Sequence, residues 1–507
     1  MAKNLREKAV RRTAWLVMVP ALLALLLAAG CAVVGPDYKP PKAQVPGTWQ
    51  GIKDPALVPR KGDIQRWWEV FHDSLLSRLI AEAARENLDV RVAWARVKEA
   101  RALVGVAAGA EVPSLDASGS STWQRTSKYD SVPGGVTDSN HRIGVDASWE
   151  IDLFGRIKRT IEAAEADYQA TEEDRLDTLV TLYGEVALTY IEVRTLQARL
   201  EAARKNIASQ REVVGLTRSR FKHGLATDLD VAQAVQVLAS SEAELPPLRT
   251  ALTQAINKLA LLLGKQPGAL YQELSRPKAI PLPPPKVAVG VPADILRQRP
   301  DVRRAERQLA AQTARIGVAT ADLYPSFSLT GSLGLSATDP GYWGRSGSHF
   351  FSIGPSFQWN IFDGGRIRSQ IKVEDARTEQ ALLTYEQTVL KALHEVENAM
   401  VAYRQQRARL RALERTVNAS RRTVRLALRL YKEGLKDFQS VLDAQRSLFT
   451  YDNQLAQAKG EVANNLVRIY KALGGGWRTG VEKPAKTAAG AGKKKGASPQ
   501  SASAPRK

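Results

Sequence analysis

The sequence contains 507 residues, of which 44% are hydrophobic and 25% charged, with a formal net charge of +21 and one cysteine. This length allows a sizeable buried core, and a single cysteine excludes a framework of intrachain disulfides. Much of the positive charge lies in residues 1–30 and in the tail from Lys483, which favours solvated surfaces over a nucleic-acid-binding face.

Residues 1–30 have the pattern of a signal peptide, because a basic segment precedes an apolar stretch from Ala14 to Ala29. The stretch ends in small residues before Cys31, as in a bacterial lipobox, where the cysteine becomes the acylated N-terminus. Leu27 lies four residues before Cys31 rather than the usual three, and an ordinary signal with a stray thiol is the alternative. We expect a covalent lipid on Cys31, and Ala32 after it fits sorting to the outer membrane.

Three further segments have compositions without a core of their own. Residues 31–62 are predicted to be a lipidated, extended N-terminal arm. Residues 277–291 contain five prolines and are predicted to be a polyproline-like connector. Residues 478–507 are predicted to be a disordered basic tail, because they consist largely of Ala, Gly, Ser, Lys and Pro.

The rest of the chain is an internal duplication, with a first repeat at 63–276 and a second at 292–477. At a spacing of 210 residues Trp149 corresponds to Trp359 and Gly155 to Gly365. Each repeat is predicted to contain helices, two strands, a long helix, a tight tip and a returning helix. Two copies are too few for a solenoid, which indicates a unit completed by other subunits.

The strand pairs are predicted near 113–152 and 325–362 from alternation of apolar residues, which is weakest in the strand near 114–124. Every second residue is apolar from Ile143 to Ile151 and again from Phe351 to Ile361, and small or polar residues lie between them. Such strands have one apolar and one polar face, which in an outer-membrane barrel meet lipid and water respectively. The loops at 126–140 and 337–348 would be the outer hairpins.

The helical hairpins are predicted at 156–264 and 366–474. Every seventh residue is apolar from Leu179 to Phe221 and from Leu382 to Tyr431, which is typical of coiled-coil packing. A helix from Arg156 to Phe221 would be about 100 Å long. Pro246-Pro247 must kink or break the first returning helix, whereas the second has no proline there.

Four strands are too few to close a membrane barrel, and open strand edges are not tolerated in lipid. The chain must therefore supply its strands to an oligomer. Three chains would give a twelve-stranded barrel.

These residues resemble the TolC-like outer membrane factors, in particular the lipoprotein branch that includes NodT-like and OprM-like efflux proteins. The motifs that carry the resemblance follow one another along the chain: Cys31 to Pro40, Trp67 to Phe71, Trp149 to Arg156, Arg299 to Val302, Leu442 to Arg446 and Ala472 to Trp477. The resemblance implies a homotrimer with a twelve-stranded β-barrel in the outer membrane and a long α-helical tunnel in the periplasm. It also implies a passive exit duct that works with a periplasmic adaptor and an inner-membrane transporter.

The family pattern also implies roles for particular residues. Gly224-Leu225 and Gly434-Leu435 correspond to the helix tips that contact the adaptor. The implied entrance gate consists of an acidic ring made by Asp443 and of polar links between tips made by Asp230, Tyr431 and Lys436. Some members carry a second acid three residues before the ring, where this chain has Ser440.

Two other classes of function compete with an export duct. A structural, trimeric coiled-coil surface protein would explain the heptads, but not the amphipathic strands. An enzyme is not expected, because the five histidines are scattered and no nucleophile, phosphate-loop or metal-ligand spacing occurs, so no catalytic residue, metal or cofactor is predicted beyond the lipid. The sequence does not indicate which substrate is exported.

Overall fold

The computed structural model of the chain describes residues 33–42, 45–50, 55–58, 64–129, 135–293 and 298–477. The predicted signal peptide, the predicted lipidation site Cys31, the predicted basic tail and parts of the predicted arm lie outside these residues. The mixture of long helices with a smaller strand part that the sequence predicts is confirmed.

The strands of the described residues are β1 (Leu57–Val58), β2 (Ser114–Arg125), β3 (Thr137–Ile151), β4 (Val287–Ala288), β5 (Ser326–Ala337) and β6 (His349–Gln358). The α-helices of the described residues are α1 (Ser74–Glu86), α2 (Leu88–Ala108), α3 (Arg156–Lys222), α4 (Asp228–Ala243), α5 (Leu245–Leu262), α6 (Tyr271–Leu274), α7 (Pro300–Ala321), α8 (Arg366–Lys432) and α9 (Phe438–Ala472).

Four of the strands form one antiparallel sheet in the order β2-β3-β5-β6. The register places Val145 opposite Leu333, and Leu333 opposite Phe351. Because directly paired residues lie on the same face, the alternating apolar residues of all the strands meet on one face of the sheet. That face is open in the single chain: Phe351 is 81% and Ile353 75% exposed.

The helices α3 and α8 are each 67 residues long and start in the same way. Gly155 and Gly365 precede them with φ of 81° and 86°, a left-handed conformation that glycine adopts at little cost. At 1.5 Å per residue each helix is about 100 Å long. The strands lie at one end of these helices and the hairpin tips at the other.

The two returning helices differ as the prolines predict. The first is divided into α4 and α5 at Glu244, and prolines occupy the first turn of α5, where a missing N–H costs no helical hydrogen bond. The second, α9, continues for 35 residues without a break.

The hydrophobic core consists of three separate clusters on the helices, the smallest of which contains Ala166, Ala310 and Ala311. The largest one lies between α1, α3, α5, α8 and α9, and its rings include Trp67 stacked on Tyr470 at 5.7 Å and Trp68 edge-on to Tyr183 at 5.2 Å. A second cluster, the tip cluster, lies near the hairpin tips and contains Val213, Val214, Ala234, Val237, Val424, Ala427, Tyr431, Phe438, Val441, Leu442 and Ala444.

The connector 277–291, predicted to be polyproline-like and without a core of its own, contributes a short strand and buried side chains to the main core. Its strand β4 pairs in parallel with β1 of the N-terminal arm, and Ile280, Val287 and Val289 are buried in the largest cluster. The reason is local alternation, because valines two residues apart point to the same side of an extended chain. Among the described residues, no helix contains a segment that is both long enough and apolar enough to cross a bilayer.

Candidate functional site

The two hairpin tips have the same backbone geometry. Gly224 and Gly434 have φ of 71° and 75°, and the N–H groups of Leu225 and Leu435 donate to the carbonyls of Arg220 and Leu430, at 2.8 and 2.9 Å. This six-to-one hydrogen bond after a left-handed glycine is the Schellman end of an α-helix. It turns each leucine outward, with exposed fractions of 63% and 66%.

Each helix after a tip begins with a side-chain cap. Thr227 and Asp230 form a reciprocal capping box: the Asp230 Oδ2 accepts from the Thr227 N–H at 2.8 Å, and the Asp230 N–H donates to the Thr227 hydroxyl. In the single chain Asp230 therefore bonds within its own helix end and not to another tip. Its predicted role in a link between tips stays a prediction.

Asp437 caps α9 in a similar way. Its Oδ1 accepts from the Ser440 N–H at 3.1 Å and from the Ser440 hydroxyl at 2.6 Å. These hydrogen bonds, the side-chain one foremost, hold the pKa of the Asp437 carboxyl below its ordinary value. Ser440, which stands in place of a second acid, therefore serves the helix cap.

Tyr431 lies in the tip cluster and joins the two hairpins. Its side chain is 4% exposed, and its ring lies 5.2 Å from that of Phe438. The guanidinium of Arg220, at the end of α3, lies 4.8 Å from the centre of the Tyr431 ring and donates to the Lys432 carbonyl at 2.9 Å. One arginine of the first hairpin thus holds the end of α8 through a cation–π contact and a hydrogen bond.

Arg220 was missed in the sequence, although one signal was available. At the spacing of 210 residues its counterpart is Leu430, so a charge stands in one repeat where the other has an apolar residue. A heptad search overlooks such a position, because it looks for what the repeats share.

Asp443 and Lys436 are both exposed at the tip end. Asp443 accepts a hydrogen bond from Gln439, one turn earlier on α9, at 3.1 Å. It points away from the tip cluster, where Leu442 and Ala444 are buried on either side of it. An acid on this face is available to a neighbouring chain or to water, and the single chain gives it no partner from another helix within the described residues.

The N-terminal arm is fixed at the opposite end of the helices. The Val34 N–H donates to the Phe154 carbonyl at 3.1 Å. The Arg159 side chain, 3% exposed, donates to the carbonyl of Val34 at 3.1 Å and to the Asp37 carboxylate at 2.8 Å. The arm therefore meets the junction of sheet and helix three residues after Cys31.

The polar face of the sheet carries cross-strand hydrogen bonds between small side chains. Ser332 and Ser352 are joined at 2.8 Å, as are Ser328 and Ser356. Ser118 donates to Asp146 at 2.6 Å. A sheet with this polar face and an open apolar face suits a boundary between water and lipid.

Comparison with known proteins places this geometry among export channels. The family model for outer membrane efflux protein matches residues 79–265 and 291–475. Nodulation protein T of Rhizobium leguminosarum bv. trifolii is 34% identical over 457 residues, which cover 89% of this chain and 96% of that protein. The solvent efflux pump outer membrane protein SrpC of Pseudomonas putida is 34% identical over 468 residues, with 90% and 97% covered. The solved structure of the outer-membrane channel OprN is 36% identical and superposes with a TM-score of 0.83, covering 88% of this chain and 100% of that one.

Proposed function

This chain belongs to the outer membrane efflux protein family and is the outer membrane exit channel of a tripartite efflux system, and on that premise we propose that three copies form one continuous duct. Channels of this family work with a periplasmic adaptor and an inner-membrane transporter. The duct is passive, and the cargo is delivered to it by those partners.

The edges of the sheet support the trimer. In the described chain β2 and β6 each pair on one side only, so both outer edges carry free N–H and C=O groups. Lipid offers these groups no hydrogen bonds, and a strand edge in the bilayer must find another strand. Pairing β6 of one copy with β2 of the next in three copies gives twelve strands and leaves no edge.

The two faces of the sheet indicate which side of the barrel wall meets lipid and which side lines the water-filled interior. The apolar face, with Phe351 and Ile353 largely exposed, would meet the acyl chains, and the serine-rich face would line water. The strands have 10 to 15 residues, enough for the nine to eleven that a tilted membrane strand needs. The helices α3 and α8 would continue the duct as a periplasmic tunnel of about 100 Å.

The hairpin tips are the proposed contact with the adaptor. Leu225 and Leu435 are exposed apolar side chains at the point of the molecule farthest from the sheet. The glycines before them hold both in the same orientation, which gives a repeated small apolar contact. A partner with matching apolar sites would bury these leucines.

The tip region is also the proposed entrance. Three Asp443 carboxylates around an axis would form a ring that attracts cations. The Tyr431 ring, held by Arg220, would keep the two tips of each copy together and the opening narrow. Lys436 is exposed beside these residues and is proposed to pair across the opening.

Cys31 is proposed to carry the lipid anchor. The arm that follows it is held by Arg159 at the junction of sheet and helix, which is where the inner surface of the outer membrane would lie around the barrel. An anchor at this point would add to the hold of the barrel without spanning the bilayer.

The decisive experiment combines the mass of the purified protein in detergent with conductance in planar bilayers. We expect a trimer that forms discrete ionic channels. A structural coiled-coil surface protein, the alternative function, would give trimers without conductance, and a stable monomer would contradict the duct.

A further inference from the structure

One aromatic residue interrupts the polar face of the sheet. Its even-numbered positions on β2, β3 and β5 carry polar or charged side chains or glycine, and so do those of β6 except Phe350. In the described strands Phe350 is thus the only large apolar side chain on the face proposed to line water. Its neighbour Phe351 points to the opposite, lipid-facing side.

Two glycines make room for this ring. The register aligns Gly144, Gly334 and Phe350 in one row across three strands. A Cβ at Gly144 would lie 3.3 Å from the Phe350 ring, and a Cβ at Gly334 would lie 2.8 Å from it. The ring therefore lies across β5 and reaches β3, over two glycines that have no side chain to obstruct it.

Arg142 covers the other side of the ring. Its guanidinium carbon lies 4.0 Å from the ring centre, within the range of a cation–π contact. The side chain is exposed, and no carboxylate within the described residues forms an ion pair with it. The acids on its own strand and face, Asp138 and Asp146, are each four residues away, which is about 14 Å along a strand.

The nearest carboxylates on this face lie in another row of the sheet, and one of them already accepts a hydrogen bond. Asp146 accepts the Ser118 hydroxyl at 2.6 Å, and Asp116 lies directly opposite Asp146. The acidic pair thus lies on the helix side of the ring, one row below it. Arg142 lies opposite Ser120 and Ser336, which are neutral hydrogen-bonding groups.

We propose that the Phe350–Arg142 stack is a weak binding subsite for aromatic carboxylates in the outer half of the exit barrel. This rests on the proposed duct, in which the face lines the lumen in three copies. The ring holds the guanidinium against the wall, and the side of the guanidinium that faces away from Phe350 accepts an aromatic ring by stacking. The in-plane N–H groups donate to the carboxylate, and Ser336 adds a hydroxyl beside it.

The test is block of the channel current by two trianions, trimesate, which is aromatic, and tricarballylate, which is aliphatic. Each is added in turn on the barrel side of trimers in planar bilayers. We expect trimesate to block at about threefold lower concentration than tricarballylate, a preference of the size that an exposed stacking contact supplies. Equal block by the two anions would overturn the stacking subsite.

Two variants and one control locate the effect. Arg142→Gln should raise the blocking concentration of trimesate by about tenfold, because the charge-assisted hydrogen bonds are lost. Phe350→Leu should remove the preference for the aromatic anion while keeping an apolar side chain over the glycines. Phe351→Leu, on the opposite face, should leave both anions unchanged.

The outcomes separate this inference from the duct. Normal channels in which Arg142→Gln leaves trimesate block unchanged would contradict the subsite alone. Protein that is monomeric in detergent and forms no channels would contradict the duct itself. Loss of the aromatic preference in Phe351→Leu as well would assign it to the fold of the sheet and not to the lumenal stack.

Discussion

At the scale of residues, the contact between Arg220 and Tyr431 is the clearest functional hypothesis that the structure adds at the entrance. The tyrosine hydroxyl is buried and has no hydrogen-bond partner among the described residues, so the ring and not the hydroxyl makes the contact. A substitution that removes only the tyrosine hydroxyl should therefore differ in its effect from one that removes the arginine.

We expect Tyr431→Phe to leave single-channel conductance unchanged, because the ring survives. Arg220→Gln should raise the conductance, since both the cation–π contact and the charged hydrogen bond to the Lys432 carbonyl are lost, at a cost of about 2 kcal/mol. Single-channel recording in bilayers measures both. Arg218→Gln, two residues earlier on α3, is the control for loss of one positive charge, and an equal rise there would contradict the link.

Asp443 belongs to a second prediction about selectivity. Asp443→Asn should lower the preference for cations and weaken block by multivalent cations, because a ring of three carboxylates would be neutralised. Reversal potentials in a salt gradient measure the change. Asp228→Asn removes an exposed acid from the other tip and should have little effect; if the two variants behave alike, Asp443 is a solvated helix residue.

Sequence reasoning found the residues that repeat and missed those that differ between the repeats. The glycines and leucines of the tips were located because both repeats carry them. The left-handed backbone of the glycines and the exposure of the leucines follow from turn chemistry. The Arg220 contact depends on the rotation of one helix against another, which the heptad pattern defines only coarsely. The capping box of Thr227 and Asp230 is local, and its three-residue spacing was a signal available in the sequence.

At the scale of elements, the sheet and the two hairpins follow directly from sequence periodicity, and the connector does not. Alternation over ten residues identifies a strand unambiguously, whereas two valines among prolines are too short a signal to predict that β4 would pair with β1. Pairing with a distant segment is a tertiary effect that local propensity does not contain.

The start of α9 carries a pH prediction. Because the folded-state pKa of Asp437 is depressed, its stabilising effect is complete above the ordinary value of 3.8 and is lost as the pH falls through the lower folded-state value. The protection of the first-turn amides of α9 against hydrogen exchange, measured relative to their intrinsic exchange rates, should therefore fall in acid.

Asp437→Asn is the matched variant for this effect. An amide oxygen still caps the helix but does not take up a proton in this range, so the additional acid dependence should disappear. The same acid dependence in the variant would show that another group controls the end of the helix.

At the scale of the whole molecule, the two faces of the sheet make opposite predictions for neighbouring residues. Ile353→Asp would place a charge in the lipid-facing band, at a cost of up to about 2 kcal/mol in each copy, and should reduce the yield of trimer in the outer membrane. Ser352→Asp, one residue away on the water-facing side, should assemble normally and alter conductance.

Fractionation and the detergent-resolved mass of both variants test this pair. Equal assembly of the two would argue against a lipid-facing sheet. Failure of only the Ser352→Asp variant to assemble would indicate that the polar face, and not the apolar one, contacts lipid.

The division of the first returning helix at Glu244 has a mechanical consequence. An uninterrupted helix of 35 residues resists bending along its whole length, whereas two shorter rods joined at a proline pair bend at their joint. In a tunnel wall built from three copies, the jointed returning helices α4–α5 would therefore alternate with the continuous helices α9. If the tunnel widened at the hairpin tips, the movement would therefore be unequal. Each α4 would tilt about its joint with α5, whereas each α9 would stay straight and support the wall.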